Sequence, residues 1–259
     1  MARYGFDAAW TGERDRMALA ESLLDPTTIR QLESIGARPG LRYLEVGAGA
    51  GSMARWMTAR AGPGGRVVAT DIDTRFLDEA AGYEVRHHDI VAGPPLPAEF
   101  DLVHARLVLQ HVPDKDRALA NLAGALRPGG WLLVEELDFT TSGAAGPLGA
   151  RGFARVERAM HRFLADTGFD PAFGRRLPGR FRAAGLVEVE GRGGLSVVQG
   201  GSPYARWYGQ SIEALRPRLV AAGLVTEADL ARACRLLADP DFELMTPVLI
   251  STRGRRPVR

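Results

Sequence analysis

A strand-like run that ends in three alternating glycines constrains this chain more than any other feature. Leu44, Glu45 and Val46 lead directly into the turn 47–51 (Gly-Ala-Gly-Ala-Gly), and a helical segment begins at Ser52. Glycine permits positive φ angles and lets the backbone come close to a ligand. The N–H groups at the start of the helix add partial positive charge. The turn therefore predicts a ligand site at the carboxyl end of a buried strand.

Short apolar runs alternate with helical segments around this turn. Strands are predicted at 42–46, 66–70, 83–87, 101–104 and 130–135, and helices at 13–37, 52–61, 74–81, 106–110 and 115–126. Asp25-Pro26 predicts a second helix start within 13–37. Because strands and helices alternate, we expect an α/β fold with a doubly wound, mostly parallel, Rossmann-like sheet of seven strands.

The pattern changes after Asp138. Helices are predicted at 150–167, at 175–184 and across 203–238, with the last strands at 186–198 and 242–252. The helical pieces interrupt the end of the sheet. We therefore expect one domain, in which a helical lid (1–40) precedes the cofactor-binding core (41–139), and insertions at 140–180 and 203–238 form a cap over the ligand edge.

Composition excludes several kinds of chemistry. Lys115 is the only lysine and Cys234 the only cysteine, so a P-loop, a cysteine zinc site and a disulfide framework are excluded. The net charge is +2, but the charges are interspersed, which argues against a nucleic-acid partner. No apolar run approaches the roughly 20 residues of a membrane span, so we expect a cytoplasmic protein without a membrane partner. A monomer or a homodimer fits the sequence.

The glycine spacing argues against a nicotinamide oxidoreductase. The third glycine falls one residue earlier than in the dinucleotide fingerprint G-x-G-x-x-G, and the acidic Glu45 precedes the first glycine. A carboxylate at this place would repel a pyrophosphate and attract an ammonium group. The oxidoreductase is therefore the weaker alternative.

Five ordered segments resemble the class I S-adenosylmethionine-dependent methyltransferases. They are Glu45-x-Gly47-x-Gly49-x-Gly51 (motif I), 67–73 (second strand), 87–90 (end of the third strand), 100–105 (motif IV) and 126–132 (turn into the fifth strand). The resemblance as a whole covers roughly residues 25–138, with these segments in the expected order and spacing. The resemblance implies S-adenosyl-L-methionine as the cofactor and S-adenosyl-L-homocysteine as its product.

The resemblance places the cofactor at the ends of the first four strands. Asp71 would accept from the ribose hydroxyls, because a carboxylate accepts well from a diol. Asp73 would share this role or act as a helix N-cap. Asp89 would accept from the adenine amino group, and the Ile90 N–H would serve a ring nitrogen. The predicted cofactor-binding set is Glu45, Gly47, Ala48, Gly49, Gly51, Ser52, Asp71, Ile72, Asp73, Phe76, Asp89, Ile90, Ala105, Arg106, Tyr4 and Trp10.

Some members of this set have a second interpretation. Phe76 would pack against adenine or within the core. The aromatic N-terminal segment, with Tyr4, Phe6 and Trp10, would close over the cofactor or anchor the first helix. The backbone at Ala105 and Arg106 would face the methionine moiety.

Methyl transfer from a sulfonium needs positioning more than functional groups. His111, just past the fourth strand, is the candidate catalytic base, because an ordinary imidazole accepts a proton at neutral pH. A loop-positioning role is the alternative. Candidate acceptor-binding residues, which would otherwise form a buried seam of the cap, are Arg106, Met160, Phe163, Tyr204, Trp207 and Tyr208. No metal is predicted, because positions 104–106 are His-Ala-Arg where metal-dependent relatives place acidic and amide ligands.

The sequence thus predicts an S-adenosylmethionine-dependent methyltransferase acting on a small, aromatic or secondary-metabolite-like molecule. A non-methylating cyclisation or rearrangement in the same capped pocket is the alternative, because both need the same glycine turn. The sequence does not distinguish O-, N- and C-methylation.

Overall fold

The computed structural model describes residues 10–258, and a seven-stranded sheet forms its centre. The strands are β1 (Arg42–Val46), β2 (Arg66–Asp71), β3 (Glu84–His87), β4 (Phe100–Arg106), β5 (Leu126–Asp138), β6 (Gly143–Ala144), β7 (Val187–Gly194), β8 (Val197–Gln199), β9 (Glu243–Met245) and β10 (Val248–Arg255). The main sheet has the order β3-β2-β1-β4-β5-β10-β7, in which only β10 runs antiparallel to its neighbours. The predicted seven-stranded, mostly parallel sheet is confirmed.

Seven α-helices accompany the sheet within the described residues. They are α1 (Glu13–Ser34), α2 (Ser52–Ala61), α3 (Lys115–Ala125), α4 (Ala150–Ala165), α5 (Leu177–Ala183), α6 (Pro203–Ala221) and α7 (Glu227–Ala238). The apolar stretches of the helices between residues 10 and 258 are too short to cross a bilayer.

The predicted helix start at Asp25-Pro26 is wrong, because α1 runs through Pro26 without a break. Proline removes a single backbone donor, and tertiary contacts on its carboxyl side outweigh that loss. Thr28, two residues later, is fully buried and donates to Glu135 of β5. Leu32 is also fully buried in the core. Packing against the sheet therefore holds both halves of α1 as one helix.

Two other predicted helices are also wrong. Residues 74–81 form two single 3₁₀ turns, because Asp73 and Asp78 each accept a backbone N–H two residues on and cap a short turn. At 106–110, β4 continues to Arg106 and a 3₁₀ turn follows at Leu109–His111. Within 203–238 the chain breaks between α6 and α7, where Thr226 and Asp229 form a capping box.

The two strands predicted near the end of the chain are each divided. Segment 242–252 separates into β9 and β10, with Pro247, which has no backbone N–H, between them. Segment 186–198 separates into β7 and β8. The pieces β8 and β9 lie outside the main sheet, and β9 pairs with both β8 and β6 in a small antiparallel sheet.

The cap helices share a core with the sheet edge and with α1. Phe153 of α4 packs against Tyr208 of α6 and against Phe242, with ring centroids 5.5 and 5.3 Å apart. The same cluster includes Leu137 of β5 and partly buried leucines of α1 such as Leu24. Shared packing therefore places α1 and α6 over the carboxyl ends of the central strands, where the site lies.

Candidate active site

A cavity of about 330 Å³ lies beside the glycine turn, at the carboxyl ends of the central parallel strands. This is the switch point of the sheet, because β1 lies between β2 and β4. Residues of α1 cover the cavity. Its lining is Arg16, Met17, Ala20, Glu21, Leu24, Glu45, Val46, Gly47, Ala48, Gly49, Ala50, Ser52, Met53, Asp71, Ile72, Asp73, His88, Asp89, Ile90, Arg106, Leu107, Val108, His111, Val112 and Trp207.

The three glycines of the turn adopt positive φ angles of +68°, +56° and +84°. A Cβ on Gly47 would lie 2.2 Å from Val108 Cγ2, and one on Gly51 would lie 2.7 Å from the Tyr83 hydroxyl. A Cβ on Gly49 would meet nothing closer than Met17 Sδ at 3.9 Å. Gly47 and Gly51 therefore serve packing, whereas Gly49 leaves space open beside the cavity.

Asp71 stands at the end of β2 and ties that strand to the glycine turn. Its Oδ2 accepts from the Gly49 N–H at 2.9 Å, and its Oδ1 accepts from the Asp73 N–H at 2.9 Å. Each oxygen retains a lone pair for a further donor. Burial raises the pKa of Asp71, and the two backbone N–H groups oppose that shift.

Asp73 also lines the cavity, and it fulfils the alternative role that the sequence offered. Its carboxylate caps the turn Thr74–Phe76 and pairs with Arg75 at 2.7 and 2.8 Å. Phe76 does not line the cavity and lies against the Arg75 guanidinium, 5.1 Å from ring centroid to Cζ.

Asp89 and Ile90 follow β3 and line the same end of the cavity, together with His88. Asp89 Oδ1 accepts from the Val91 N–H at 2.9 Å, which fixes the loop and leaves the other carboxylate oxygen for a ligand. Asn121 of α3 donates to the Ile90 carbonyl at 2.6 Å. Sequence reasoning missed this support, whose only signal is a single amide on a helix facing the loop.

A row of buried charged side chains lies beneath the other end of the cavity. His104 Nδ1 lies 2.6 Å from Glu45 Oε2, and His104 Nε2 lies 3.5 Å from Glu135 Oε2. The two carboxylates raise the pKa of His104 to about 9 against the opposing effect of burial. Sequence reasoning missed this row. The missed signal is an acid on β1 in register with a histidine on β4, together with an acid two residues further along on β5, the strand on the other side of that histidine.

Arg106 connects this row to α1. It donates to Thr28 Oγ1 at 2.8 Å and to Asp25 Oδ1 at 2.7 Å. Ser52, at the start of α2, also donates its hydroxyl to Asp25 Oδ1 at 3.1 Å. Ala105, although next to Arg106, is fully buried and does not line the cavity.

Two further charged residues of α1 reach the cavity, and sequence reasoning missed both. Arg16 forms a buried, bidentate pair with Glu13 at 2.6 and 2.8 Å. Glu21 accepts from the Ser52 N–H at 3.1 Å, so its carboxylate lies at the N-terminus of α2. The mixed polarity of α1 conceals these residues, because a solvated lid helix would show the same pattern.

His111 is held inside the loop that follows β4. Its ring packs on Phe169 with centroids 5.2 Å apart. Burial, then the charges of Arg16 and Lys115, lower its pKa to about 3, so the imidazole is neutral at physiological pH. Glu136 holds the loop by accepting from the Val108 and Leu109 N–H groups at 3.1 and 2.6 Å.

Of the predicted aromatic residues, the structure brings Trp207 to the cavity. Tyr204, Tyr208 and Met160 lie in the cap core and do not line it, because α6 turns one face to α4 and α7. Phe163 packs under the Arg218 guanidinium at 4.7 Å. Trp10 packs over Gly12 outside the cavity lining, and Tyr4 and Phe6 lie outside the described residues.

Within residues 10–258, no group of three or more His, Cys, Asp or Glu side chains is arranged to hold a metal ion.

The sheet order, the glycine turn after β1 and the acids that follow β2 and β3 define a Rossmann-like nucleotide-cofactor protein. A methyltransferase-domain family model matches residues 44–132, which contain the glycine turn and the acids that follow β2 and β3. The fold and this match support a class I S-adenosylmethionine-dependent methyltransferase.

Similar proteins agree with this assignment. The chain is 34% identical over 142 residues to methyltransferase str2 of Strobilurus tenacellus, covering 52% of this chain and 50% of that protein. It is 36% identical over 115 residues to the ubiquinone/menaquinone biosynthesis C-methyltransferase UbiE of Laribacter hongkongensis, covering 41% and 47%. The chain therefore spans about half the length of these curated relatives.

A solved structure shares the fold. It is phosphoethanolamine N-methyltransferase 2 of Haemonchus contortus in complex with S-adenosylhomocysteine, with a TM-score of 0.53 and 17% identity over 90% of this chain and 52% of that chain.

Proposed function

We propose that this chain transfers the methyl group of S-adenosylmethionine to a small, apolar, aromatic or secondary-metabolite-like acceptor by in-line displacement. One observation carries the proposal. A single cavity has acidic and glycine-rich walls at one end and leucine, methionine and tryptophan side chains elsewhere in its lining. When bound, the cofactor supplies a methyl group on a positively charged sulfur. The protein itself therefore needs only to orient the acceptor and to exclude water from the reacting atoms.

The polar walls fit this cofactor. Asp71 keeps acceptor capacity on both carboxylate oxygens, which suits a ribose diol, and Asp89 has an oxygen left for the adenine amino group. Gly49 lets a ligand approach the backbone closely, because the space that a Cβ would occupy is empty up to Met17 Sδ, 3.9 Å away. Glu45 adds a carboxylate at the amino-acid end.

The remaining lining supports a small, apolar acceptor. Met17, Ala20 and Leu24 of α1 share the lining with Leu107 and Trp207, and these side chains exclude water from the reacting atoms. A cavity of about 330 Å³ is near the lower end of the range for small-molecule sites. The size supports a small molecule over a macromolecular acceptor.

His111 is the side chain that we propose as proton acceptor. With a pKa of about 3 it is neutral but only weakly basic. The proton on an acceptor hydroxyl oxygen or ring carbon becomes strongly acidic as that atom forms its bond to the methyl carbon. A weak base is then sufficient, and proton transfer follows bond formation.

The test is turnover with S-adenosylmethionine and a panel of phenols, hydroquinones and other small aromatic molecules. Mass spectrometry should find S-adenosylhomocysteine and a methylated acceptor in equal amounts, and Asp89→Asn should lose turnover while remaining folded. Conversion of an acceptor without S-adenosylhomocysteine would instead establish non-methylating chemistry. Failure of S-adenosylhomocysteine to bind at all, measured by calorimetry, would reject the proposal.

A further inference from the structure

A row of one imidazole between two carboxylates crosses three neighbouring strands under the cavity. Glu45 of β1 lies directly beside His104 of β4, and Glu135 of β5 lies on the other side of that histidine. All three side chains are at least 96% buried. Ionised groups at this depth are costly unless partners compensate them, so their arrangement is informative.

The charges around this row do not balance. Glu45, Glu135 and Asp25 contribute three carboxylates, whereas His104 and Arg106 contribute two cations. Of the three carboxylates, Glu45 is the one that lines the cavity. The uncompensated negative charge is therefore presented to a ligand at that wall.

We propose that His104 and Glu135 are positioning residues that fix Glu45 as an oriented carboxylate, so that the cavity selects ligands with a cationic amino group. The inference rests on the proposed function, because S-adenosylmethionine and S-adenosylhomocysteine carry that group on their amino-acid end. Neither His104 nor Glu135 lines the cavity. Both act through Glu45.

The geometry allows His104 to do this only while it is held from both sides. Its Nδ1 is hydrogen-bonded to Glu45 at 2.6 Å, whereas its Nε2 makes no hydrogen bond and lies 3.5 Å from Glu135 as an ion-pair contact. Glu135 is itself fixed, because it accepts from the Ser251 hydroxyl at 2.5 Å and from the Thr28 hydroxyl. A glutamine in place of His104 would keep a donor but would remove the charge.

The charge of His104 matters because burial favours the protonated form of Glu45 and raises its pKa. His104 and Arg106 oppose this shift, and Asp25 adds to it. In His104→Gln, the main opposing charge is gone, so Glu45 should take up a proton closer to neutral pH. Affinity for an ammonium-bearing ligand should then rise with pH more steeply near neutral pH in the variant than in the parent.

Calorimetry with two ligands tests the proposal. S-adenosylhomocysteine carries the amino-acid end, and 5′-methylthioadenosine lacks it. We expect His104→Gln to weaken S-adenosylhomocysteine binding by roughly ten- to a hundredfold and to change 5′-methylthioadenosine binding by less than about twofold. His161→Gln is the control, because it replaces a half-buried imidazole that packs on Phe139 and Phe169, away from the row. It should change neither affinity.

Glu135→Gln is a second test of the proposal, which is needed if His104→Gln does not fold. It should weaken S-adenosylhomocysteine binding selectively in the same way, with a pH dependence of the same sign. In addition, Glu45→Gln combined with His104→Gln should lose no more affinity than Glu45→Gln alone. Equal weakening of both ligands, or an unchanged pH profile, would overturn the inference and leave a structural role. If the parent protein binds neither ligand, the proposed function fails instead.

Discussion

The Gly47→Ala substitution isolates the steric demand of the glycine turn. A Cβ at this position would lie 2.2 Å from Val108 Cγ2, with Val108 Cβ and Cγ1 at 3.5 and 3.6 Å. Valine is stiff about χ1. Its backbone is also fixed, because the Val108 N–H donates to Glu136 at 3.1 Å. The loop therefore cannot give way without losing contacts of its own.

The expected cost has two parts. An alanine at φ +68° costs about 1–2 kcal/mol, because a Cβ strains the left-handed region. Overpacking against Val108 adds about 1–3 kcal/mol. Gly47→Ala should therefore lower the free energy of unfolding by about 2–5 kcal/mol. The matched control is Gly62→Ala, at φ +63° with nothing within 4 Å of its Cβ, which should show only the first part.

Urea unfolding followed by circular dichroism measures both losses. The double variant Gly47→Ala/Val108→Ala removes the clashing Cγ2 and should recover most of the difference between Gly47→Ala and Gly62→Ala. Gly49→Ala separates stability from binding, because it should cost no more than Gly62→Ala yet weaken S-adenosylhomocysteine binding. If Gly47→Ala and Gly62→Ala are equally destabilised within about 0.5 kcal/mol, the argument from Val108 is refuted.

Three further outcomes are expected. Asp71→Asn should weaken S-adenosylhomocysteine binding, measured by calorimetry, by roughly tenfold or more. Asp73→Asn should weaken it less, because the Asp73 carboxylate is already paired with Arg75. The opposite order would reject the assignment of Asp71 to the ribose. Burial lowers the pKa of His161 to about 4 in the folded protein, whereas an imidazole in the unfolded chain has a pKa of about 6.5. The unfolded state therefore binds more protons between these values, and the free energy of unfolding should fall as the pH decreases from about 6.5 to about 4. In unfolding curves measured across this pH range, His161→Phe should reduce the loss of unfolding free energy by on the order of 3 kcal/mol at most. An unchanged dependence of the unfolding free energy on pH would contradict this prediction. Cys234→Ala should leave methyl-transfer rates nearly unchanged, because its thiol lies beside Glu213 and Arg216 in the cap, away from the cavity lining.

Local signals in the sequence determined the first half of the fold. The bounds predicted for β1 and α2 agree with the structure, and those of β2, β3 and α3 differ by one residue. These elements have strong periodicity and are separated by glycine or proline. The three glycines also required positive φ angles for a reason that is local to the backbone. The acids after β2 and β3 could be located because a parallel sheet brings strand ends together.

Tertiary structure alone decided the surroundings of the site. The row Glu45–His104–Glu135 depends on the register of three strands that are distant in sequence, and nothing local fixes that register. The division of the last predicted strands into two sheets likewise depends on pairing partners. The same applies to α1, where buried contacts at Thr28 and Leu32 override the breaking tendency of Pro26.

Protonation is the clearest case of this division. The sequence shows His104 and His111 seven positions apart, and it predicts an ordinary imidazole at His111. In the structure, two carboxylates raise the pKa of His104 to about 9, and burial together with the charges of Arg16 and Lys115 lowers that of His111 to about 3. The sequence determined which titratable groups are present and on which strands or loops they lie. Their charge was decided by three-dimensional packing, because desolvation and ion pairing depend on neighbours that are far away along the chain.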